Sequence, residues 1–259
     1  KLSLDWKIKD IDNTKYNETI FKMSNMNFVT KIKYEKSYKK KGIKNGNISI
    51  KKERSKINAI FDYFENKLII KKSNLRNAFV DGKLIGKIDL LPYFKFNLDL
   101  TLNSLNFTKL YNYFLSLNEV SQKNIFRINN KINGSLSLSS DKVYSSNNLI
   151  KSFESRVKFS NGNISIDQFL LNLGKLGAAD LIGSINNEKK YTNLKYESNI
   201  FIDNKKKFIS KFGIYNKKDI SDNMYVSGNF DLLNIKNSFY EIEGNEKLKI
   251  EDVNFIEKE

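Results

Sequence analysis

The chain has 259 residues, enough for one large β domain or two ordinary domains, and 40% of them are hydrophobic. It contains no Cys and no His, which excludes disulfides, thiolate or imidazole metal sites and nucleophile systems that depend on His. Lys and Arg number 45 against 29 Asp and Glu, so the net charge is +16. Such a charge can indicate a nucleic-acid or anionic-membrane partner. Alternatively, the positive charge reflects only the Lys-, Asn- and Ile-rich composition of proteins that are encoded by AT-rich genomes. This explanation fits lysines that are scattered over outward strand positions and turns.

Most of the chain alternates apolar and polar residues with the period of a β-strand. A hairpin turn is predicted at Glu65-Asn66, and the clearest strand follows Pro92, the only proline. The predicted strands are Leu2–Lys9, Glu18–Tyr34, Asn45–Lys51, Lys56–Tyr63, Lys67–Lys72, Lys83–Leu90, Tyr93–Leu102, Phe126–Leu138, Phe153–Phe159, the stretch Asn161–Ile185, Leu194–Ile202, Phe208–Ile214 and Met224–Leu232.

A short glycine signal recurs along these strands. The hexapeptide N-G-N-I-S-I occurs at Asn45–Ile50 and Asn161–Ile166, and Gly–polar–apolar–polar–apolar recurs at Gly86–Leu90, Gly134–Leu138 and Gly228–Leu232. A glycine at the start of a strand permits a bulge, a bend or a close backbone approach. The pattern therefore predicts one strand-opening signal used repeatedly, by internal duplication or by chance in an Asn- and Ile-rich chain.

The period changes after the strand at Tyr93–Leu102. An amphipathic helix capped by Asn106 is predicted from apolar residues at helical spacing, namely Phe107, Leu110, Tyr111, Phe114 and Leu115. It either plugs the end of the sheet or lies on a membrane surface. Ile235–Ile242 is predicted as a short helix, Glu241–Glu259 as a frayed end, and the runs Lys39–Lys41 and Lys205–Lys207 as turns.

A family resemblance rests on the order of these segments. N-G-N-I-S-I is followed by an apolar strand and G-A-A-D-L-I-G-S-I, and G-K-L-I-G-K-I-D-L is followed by F-N-L-D-L-T-L-N-S-L-N-F-T-K-L. Over roughly Asn45–Leu117 and Phe126–Leu232 this order resembles the repeating unit of AsmA-like proteins of the Gram-negative envelope. The resemblance implies an elongated, curved antiparallel sheet that forms a taco-like β-groove. It also implies phospholipid transport between inner and outer membranes or outer-membrane assembly, in the periplasm.

Members of that family usually carry a membrane-anchored N-terminus. This chain begins with Lys1, shows no signal peptide and has no apolar run near the ~20 residues that a membrane span needs. We therefore expect a piece of a longer or processed protein whose inner-membrane anchor lies outside it.

The sequence thus predicts an all-β fold, an elongated curved antiparallel sheet with one amphipathic helix, continuous over 1–259 with a soft seam near 139–151. The expected ligands are phospholipid acyl chains, with no cofactor, no metal and no specific nucleic acid. The predicted groove lining is Phe94, Phe96, Leu98, Leu100, Phe126, Ile128, Ile132, Leu136 and Leu138.

The rival function is a structural or adhesive β-sandwich or β-solenoid module without a lipid ligand. Nucleic-acid binding rests on charge alone, because aromatic and basic residues alternate and so point to opposite faces. A catalytic or metal-binding carboxylate pair is not predicted: Asp89, Asp99 and Asp231 are expected as solvated outer-face acids, and Asp180 in a turn or an outward position. The predicted function is therefore non-enzymatic.

Overall fold

The structure is a computed structural model that describes residues 4–10, 16–23, 28–37, 42–52, 54–146, 148–186, 192–212, 222–233, 239–242 and 247–249. Within these ranges, side chains are described at 29–32, 46–52, 54–146, 148–186, 192–211 and 222–233. Residue contacts divide the chain into two compact units, unit 1 at 1–103 and unit 2 at 104–259. The seam expected near 139–151 lies inside unit 2.

Unit 1 is an antiparallel meander in which each strand from β1 to β7 pairs with the next. Its strands are β1 Leu4–Asp10, β2 Tyr16–Met23, β3 Phe28–Ser37, β4 Gly42–Lys52, β5 Ser55–Phe64, β6 Lys67–Arg76, β7 Val80–Asp89 and β8 Lys95–Asn106. The predicted strand Glu18–Tyr34 is two strands, β2 and β3, paired from Met23 opposite Phe28. β8 lies beside β7, where a Cβ on Gly82 would meet Leu102 Cδ2 at 2.7 Å.

Unit 2 begins at the last residues of β8 and continues directly into a helix. Its elements are α1 Phe107–Ser116, α2 Glu119–Phe126, β9 Asn133–Ser140, β10 Val143–Tyr144, β11 Ser152–Ser160, β12 Asn163–Asn172, a 3₁₀ turn Gly174–Leu176, β13 Gly177–Ile185, β14 Asn193–Ile202, α3 Lys205–Phe212, β15 Asn223–Asp231, β16 Phe239–Ile242 and β17 Lys247–Lys249.

The strands of unit 2 form a second antiparallel series. β9 pairs with β11, and each strand from β11 to β17 pairs with the next. The two-residue strand β10 instead pairs in parallel with the end of β8, with Val143 opposite Leu105. The prediction of an all-β, antiparallel architecture with few helices is therefore confirmed.

The described part of the chain contains three α-helices, two of which the sequence analysis did not predict. The predicted α1 is confirmed, and Asn106 Oδ1 accepts a hydrogen bond from Lys109 N at 2.9 Å. The helices that were missed begin with the same asparagine cap: Ser121 N donates to Asn118 and Lys207 N to Asn204. These caps satisfy first-turn N–H groups and so favour helix over strand.

Several predicted segments change as a consequence. Phe126 closes α2 instead of opening a strand, and that strand begins at Asn133. The predicted strand at Phe208 and the predicted turn at Lys205–Lys207 are both part of α3, whose apolar residues follow a helical period. In the predicted helix Ile235–Ile242, the residues from Phe239 form β16 because they pair with β15, and 235–238 lie outside the described residues.

The glycine signal marks strand starts at some positions and close contacts within strands at others. Gly134 and Gly162 do lie where strands open, and Gly162 forms a left-handed turn with Asn161 at φ 82° and 51°. Gly46 and Gly86, however, lie inside longer strands. The Phe61 ring occupies the place of a Gly46 Cβ, and a Gly86 Cβ would overlap Asn97 O. Identical hexapeptides therefore serve a turn in one place and a mid-strand contact in the other.

The buried core of the described residues lies in unit 2, at one end of its sheet. α3 contributes Phe208, which is 3% exposed and packs against the strand residues Ile202, Met224 and Val226. Leu149 and Leu173 complete the cluster. This helix covers one end of one face of the unit 2 sheet, and the remainder of that face carries half-buried side chains together with buried ones such as Phe153 and Ile185.

Candidate functional site

The predicted lining residues of β8 lie on one face of that strand. Phe96, Leu98 and Leu100 are half-buried and alternate with exposed neighbours, as the period of a strand requires. Phe94 lies just before β8, is 38% exposed, and its ring centroid is 6.1 Å from that of Phe96. The sequence therefore placed this part of the predicted surface on a common face.

The same face extends across the neighbouring strands of unit 1. Directly paired residues share a face of a sheet, and the pairs include Phe61 with Ile70, Leu68 with Ile88 and Ile48 with Ala59. We call this surface the apolar face of unit 1; its residues are Ile48, Ile50, Ile57, Ala59, Phe61, Tyr63, Leu68, Ile70, Ser73, Leu75, Val80, Gly82, Leu84, Gly86, Ile88, Phe96, Leu98, Leu100 and Leu102.

The apolar face of unit 1 is not covered as a packed core would be. Among the described side chains of unit 1, Leu102 is the only hydrophobic residue that is buried, at 3% exposed. Ile57 on the same face is 37% exposed, and most of the other members are half-buried. Fully buried apolar side chains are the norm in a domain core, so this face of the sheet is open.

The polar content of this face is low and satisfied internally. Its buried serine, Ser73, donates from Oγ to Leu84 O at 2.7 Å and accepts from Leu84 N at 2.6 Å. These bonds bridge a bulge where the pairing of β6 with β7 shifts between Ile70 and Leu75. None of the residues of the face is charged, whereas charged pairs such as Lys71 with Asp62 at 2.5 Å belong to the opposite side.

Two of the remaining predicted residues lie on a corresponding face of unit 2. Leu136 pairs opposite Val157 and Leu138 opposite Ser155, and both leucines are half-buried. Further along the same face, Phe169 contacts Phe153 with ring centroids 5.5 Å apart. Unit 2 therefore carries a second apolar face, closed at one end by α3.

The other three predicted residues are not on a strand. Phe126 ends α2 and packs edge to face on Phe114, with ring centroids 5.7 Å apart. Ile128 and Ile132 lie in the irregular segment before β9, where Ile132 N donates to Asn129 O at 3.0 Å. Their strand placement is wrong: the helix capped by Asn118 includes Phe126, and the strand begins only at Asn133. Their contact with lipid stays a prediction.

The four aspartates that the sequence singled out lie in different surroundings. Asp99 is exposed as expected, and Asp89 lies 3.4 Å from Lys87 Nζ. Asp180 does take an outward position, where its Oδ1 accepts from both Asn199 N and Asn199 Nδ2. Asp231 was expected to be solvated and is only 6% exposed; its Oδ1 accepts from Leu233 N at 3.1 Å, and this turn buries it.

The shifted pKa values belong to exposed pairs on the outside of the fold. The Lys123 ammonium lowers the pKa of Glu119, and Lys158 with Ser165 lowers the pKa of Asp167. Burial and Glu197 raise the pKa of the Tyr225 hydroxyl. Over the described residues, no three His, Cys, Asp or Glu side chains gather as metal ligands. Among the described helices, none has both the length and the apolar character of a membrane span.

A cleft of about 420 Å³ lies against β11 to β14 in unit 2. Its walls include Glu154, Leu170, Ala178, Asp180 and Phe201. The Asp180 carboxylate already accepts the two hydrogen bonds from Asn199. The cleft is a depression beside the small Ala178 side chain. No family model, no curated protein and no solved structure matches this chain.

Sequence reasoning missed the part of the surface contributed by β4 to β7. Phe61, Ile70 and Leu84 lie on the apolar face of unit 1, and none of them was among the predicted lining residues. The signal was present as period-two alternation in these strands. It was obscured in β6, where a bulge opposite Ile60 and Phe61 adds one residue and reverses the parity of the pattern between Ile70 and Ser73.

Proposed function

We propose that this protein shields phospholipid acyl chains on its apolar sheet faces, as a non-enzymatic segment of a bacterial envelope protein. One observation carries the proposal: the apolar face of unit 1 is continuous and uncharged, and Leu102 is its only buried hydrophobic residue among the described side chains. Such a surface needs an apolar covering in water.

The dimensions of the face suit acyl chains. β8 has 12 residues, and at ~3.3 Å per residue it extends about 40 Å. One bilayer leaflet contributes acyl chains about 15 Å deep, half of the ~30 Å hydrocarbon core. A phospholipid could therefore lay its chains on this face while its headgroup remains in water. The resemblance to AsmA-like proteins supports the same ligand, and a periplasmic place between two membranes follows from that resemblance.

Leu98→Asp tests the proposal at the centre of β8. On an open face the new carboxylate reaches water when no lipid is present, so we expect the variant to fold with a loss of about 1–2 kcal/mol. A charge on the face should, however, abolish lipid retention, because burying it under acyl chains costs several kcal/mol. The measurements are a thermal melt and the binding of a fluorescent phospholipid.

Thr101→Asp is the matched control, since Thr101 is exposed and alternation places it on the opposite side of the same strand. It should leave both folding and lipid binding unchanged. If Leu98→Asp does not fold, the face is a closed core, and the structural or adhesive module without lipid is favoured. If it folds and binds lipid normally, this face takes no part in shielding.

A further inference from the structure

The two most exposed apolar side chains among the described residues of unit 1 lie in one loop between β7 and β8, beside two further exposed apolar residues. Tyr93 is 82% exposed and Leu91 62%, with Leu90 and Phe94 at 38% each. We call Leu90–Phe94 the apolar loop. Single exposed hydrophobic residues are ordinary on a protein surface, but four within five residues form a patch that needs explanation.

The apolar loop is held in place by the neighbouring hairpin turn. Leu90 N donates to Asn66 O at 2.8 Å, and the turn at Glu65-Asn66 is tight, with φ of 47° and 62°. Phe64, beside that turn, is 36% exposed. Exposed apolar side chains from two adjacent connections therefore project from the same end of the strands.

The opposite end of these strands is different in character. The β6–β7 connection there contains Asn77, Ala78 and the half-buried Phe79, and the preceding β4–β5 connection contains Arg54; none of these is an exposed large apolar residue. Ten residues of β7, about 33 Å at the rise of a strand, separate the two ends. Among the described connections of unit 1, one end of the strands therefore carries exposed large apolar side chains, and the other, which we call the polar end, does not.

The positive charges near the apolar loop indicate which kind of partner this end contacts. Lys67 and Lys95 flank the apolar loop and are exposed, and the chain carries a net charge of +16. Tyrosine is enriched at the level of lipid headgroups, where its ring is buried and its hydroxyl stays in water. Leu, Tyr and Phe side chains with surrounding lysines complement an anionic bilayer, and the net positive charge draws the protein to it.

The apolar loop lies where the apolar face of unit 1 begins on β8. Phe94 belongs both to the apolar loop and to the row of side chains that continues through Phe96, Leu98 and Leu100. A bilayer in contact with the loop would therefore adjoin the beginning of the apolar face. We propose that the apolar loop inserts into the surface of an anionic phospholipid bilayer and is the end at which acyl chains pass between bilayer and sheet. The transfer part rests on the proposed function.

The absence of cysteine makes a site-specific test simple. Single cysteines are placed by Tyr93→Cys in the loop, Ala78→Cys at the polar end and Leu115→Cys on α1, and each is labelled with an environment-sensitive fluorophore. Vesicles containing phosphatidylglycerol are then added. We expect a blue shift with a several-fold rise in emission at position 93, and no change at 78 or 115. Equal responses at 93 and 78, or a response only at 115, would overturn the proposal.

A second measurement separates docking from lipid shielding. The double variant Leu91→Ser with Tyr93→Ser should bind phosphatidylglycerol vesicles at least about tenfold more weakly, because it loses apolar area that would be buried in the bilayer. It should still retain a fluorescent phospholipid offered from dilute detergent. Leu98→Asp should show the reverse: normal docking without retention. If the double variant docks as tightly as the unaltered chain, or only ceases to dimerise, the loop is not the bilayer contact.

Discussion

At the scale of single residues, glycine decides where neighbouring backbones come together. Gly86 and Gly177 both adopt φ of +136°, a conformation that residues with a Cβ rarely take. In each case a Cβ would also overlap a carbonyl oxygen of the next strand, Asn97 O for Gly86 and Phe201 O for Gly177. Two physical demands, dihedral and steric, thus coincide at the same positions.

Gly177→Ala should lower the free energy of unfolding by roughly 2–4 kcal/mol, because it adds backbone strain and displaces β14. Gly174→Ala, three residues earlier, is the control. Its φ of +64° is also left-handed, but its Cβ would meet only the flexible Lys151 side chain, so a loss of about 1 kcal/mol is expected. Urea denaturation of both variants measures this, and equal losses would show that contact with β14 is unimportant.

At the scale of elements, two distant strands end in the same way. Gly86–Leu90 and Gly228–Leu232 share the pattern Gly-x-apolar-Asp-Leu. Asp89 pairs opposite the first residue of β6, and Asp231 opposite the first residue of β14. The following leucine N–H then donates at 2.8 Å to the residue before that strand, Asn66 O in one unit and Thr192 O in the other. The repeated sequence therefore encodes a repeated end of an antiparallel strand pair.

The helix α3 is the element that gives unit 2 a core. Phe208→Ala should lower the free energy of unfolding by about 3–5 kcal/mol, because it opens a cavity beneath the helix where Phe208 is 3% exposed. Hydrogen exchange should show faster exchange in β14 and β15, which pack under α3. Lys206→Ala in the same helix is exposed and should change stability by less than about 0.5 kcal/mol. Similar effects of the two substitutions would contradict a core role for α3.

At the scale of the whole molecule, the excess of basic residues governs attraction to surfaces. The net charge of +16 is spread along the chain and, in the described residues, lysines are mostly exposed. Exposed charges interact over a screening length of ~8 Å at physiological ionic strength and only ~3 Å at 1 M. Electrostatic attraction should therefore bring the protein to anionic membranes, and apolar contacts should set its orientation there.

Binding to phosphatidylglycerol vesicles should consequently weaken steeply as salt is raised toward about 1 M. Cosedimentation across a salt series measures the effect, with pure phosphatidylcholine vesicles as the uncharged control. Binding that stays unchanged at high salt would mean that charge contributes little. Loss of binding in parallel for both kinds of vesicle would likewise contradict an electrostatic attraction.

The sequence by itself determined the class of fold and most strand positions, since alternation, turn residues and caps act over a few neighbouring residues. The turn at Glu65-Asn66, the cap at Asn106 and the common face of Phe96, Leu98 and Leu100 are local consequences of this kind. The charge and the absence of cysteine and histidine were likewise fixed by composition.

Only the tertiary structure decided which of these local patterns survive. In β4 the sequence N-G-N-I-S-I lies within the strand, where Gly46 packs beneath the Phe61 ring of β5. Before β12 the same sequence forms a turn, because the partners of the two strands differ. A bulge that is set by pairing reverses the parity of β6, so the part of the apolar face in that strand could not be read from alternation. Burial is also decided by the tertiary structure, because it depends on what packs over a face of the sheet. In unit 2, α3 covers Met224, whereas Leu98 in unit 1 remains half-buried.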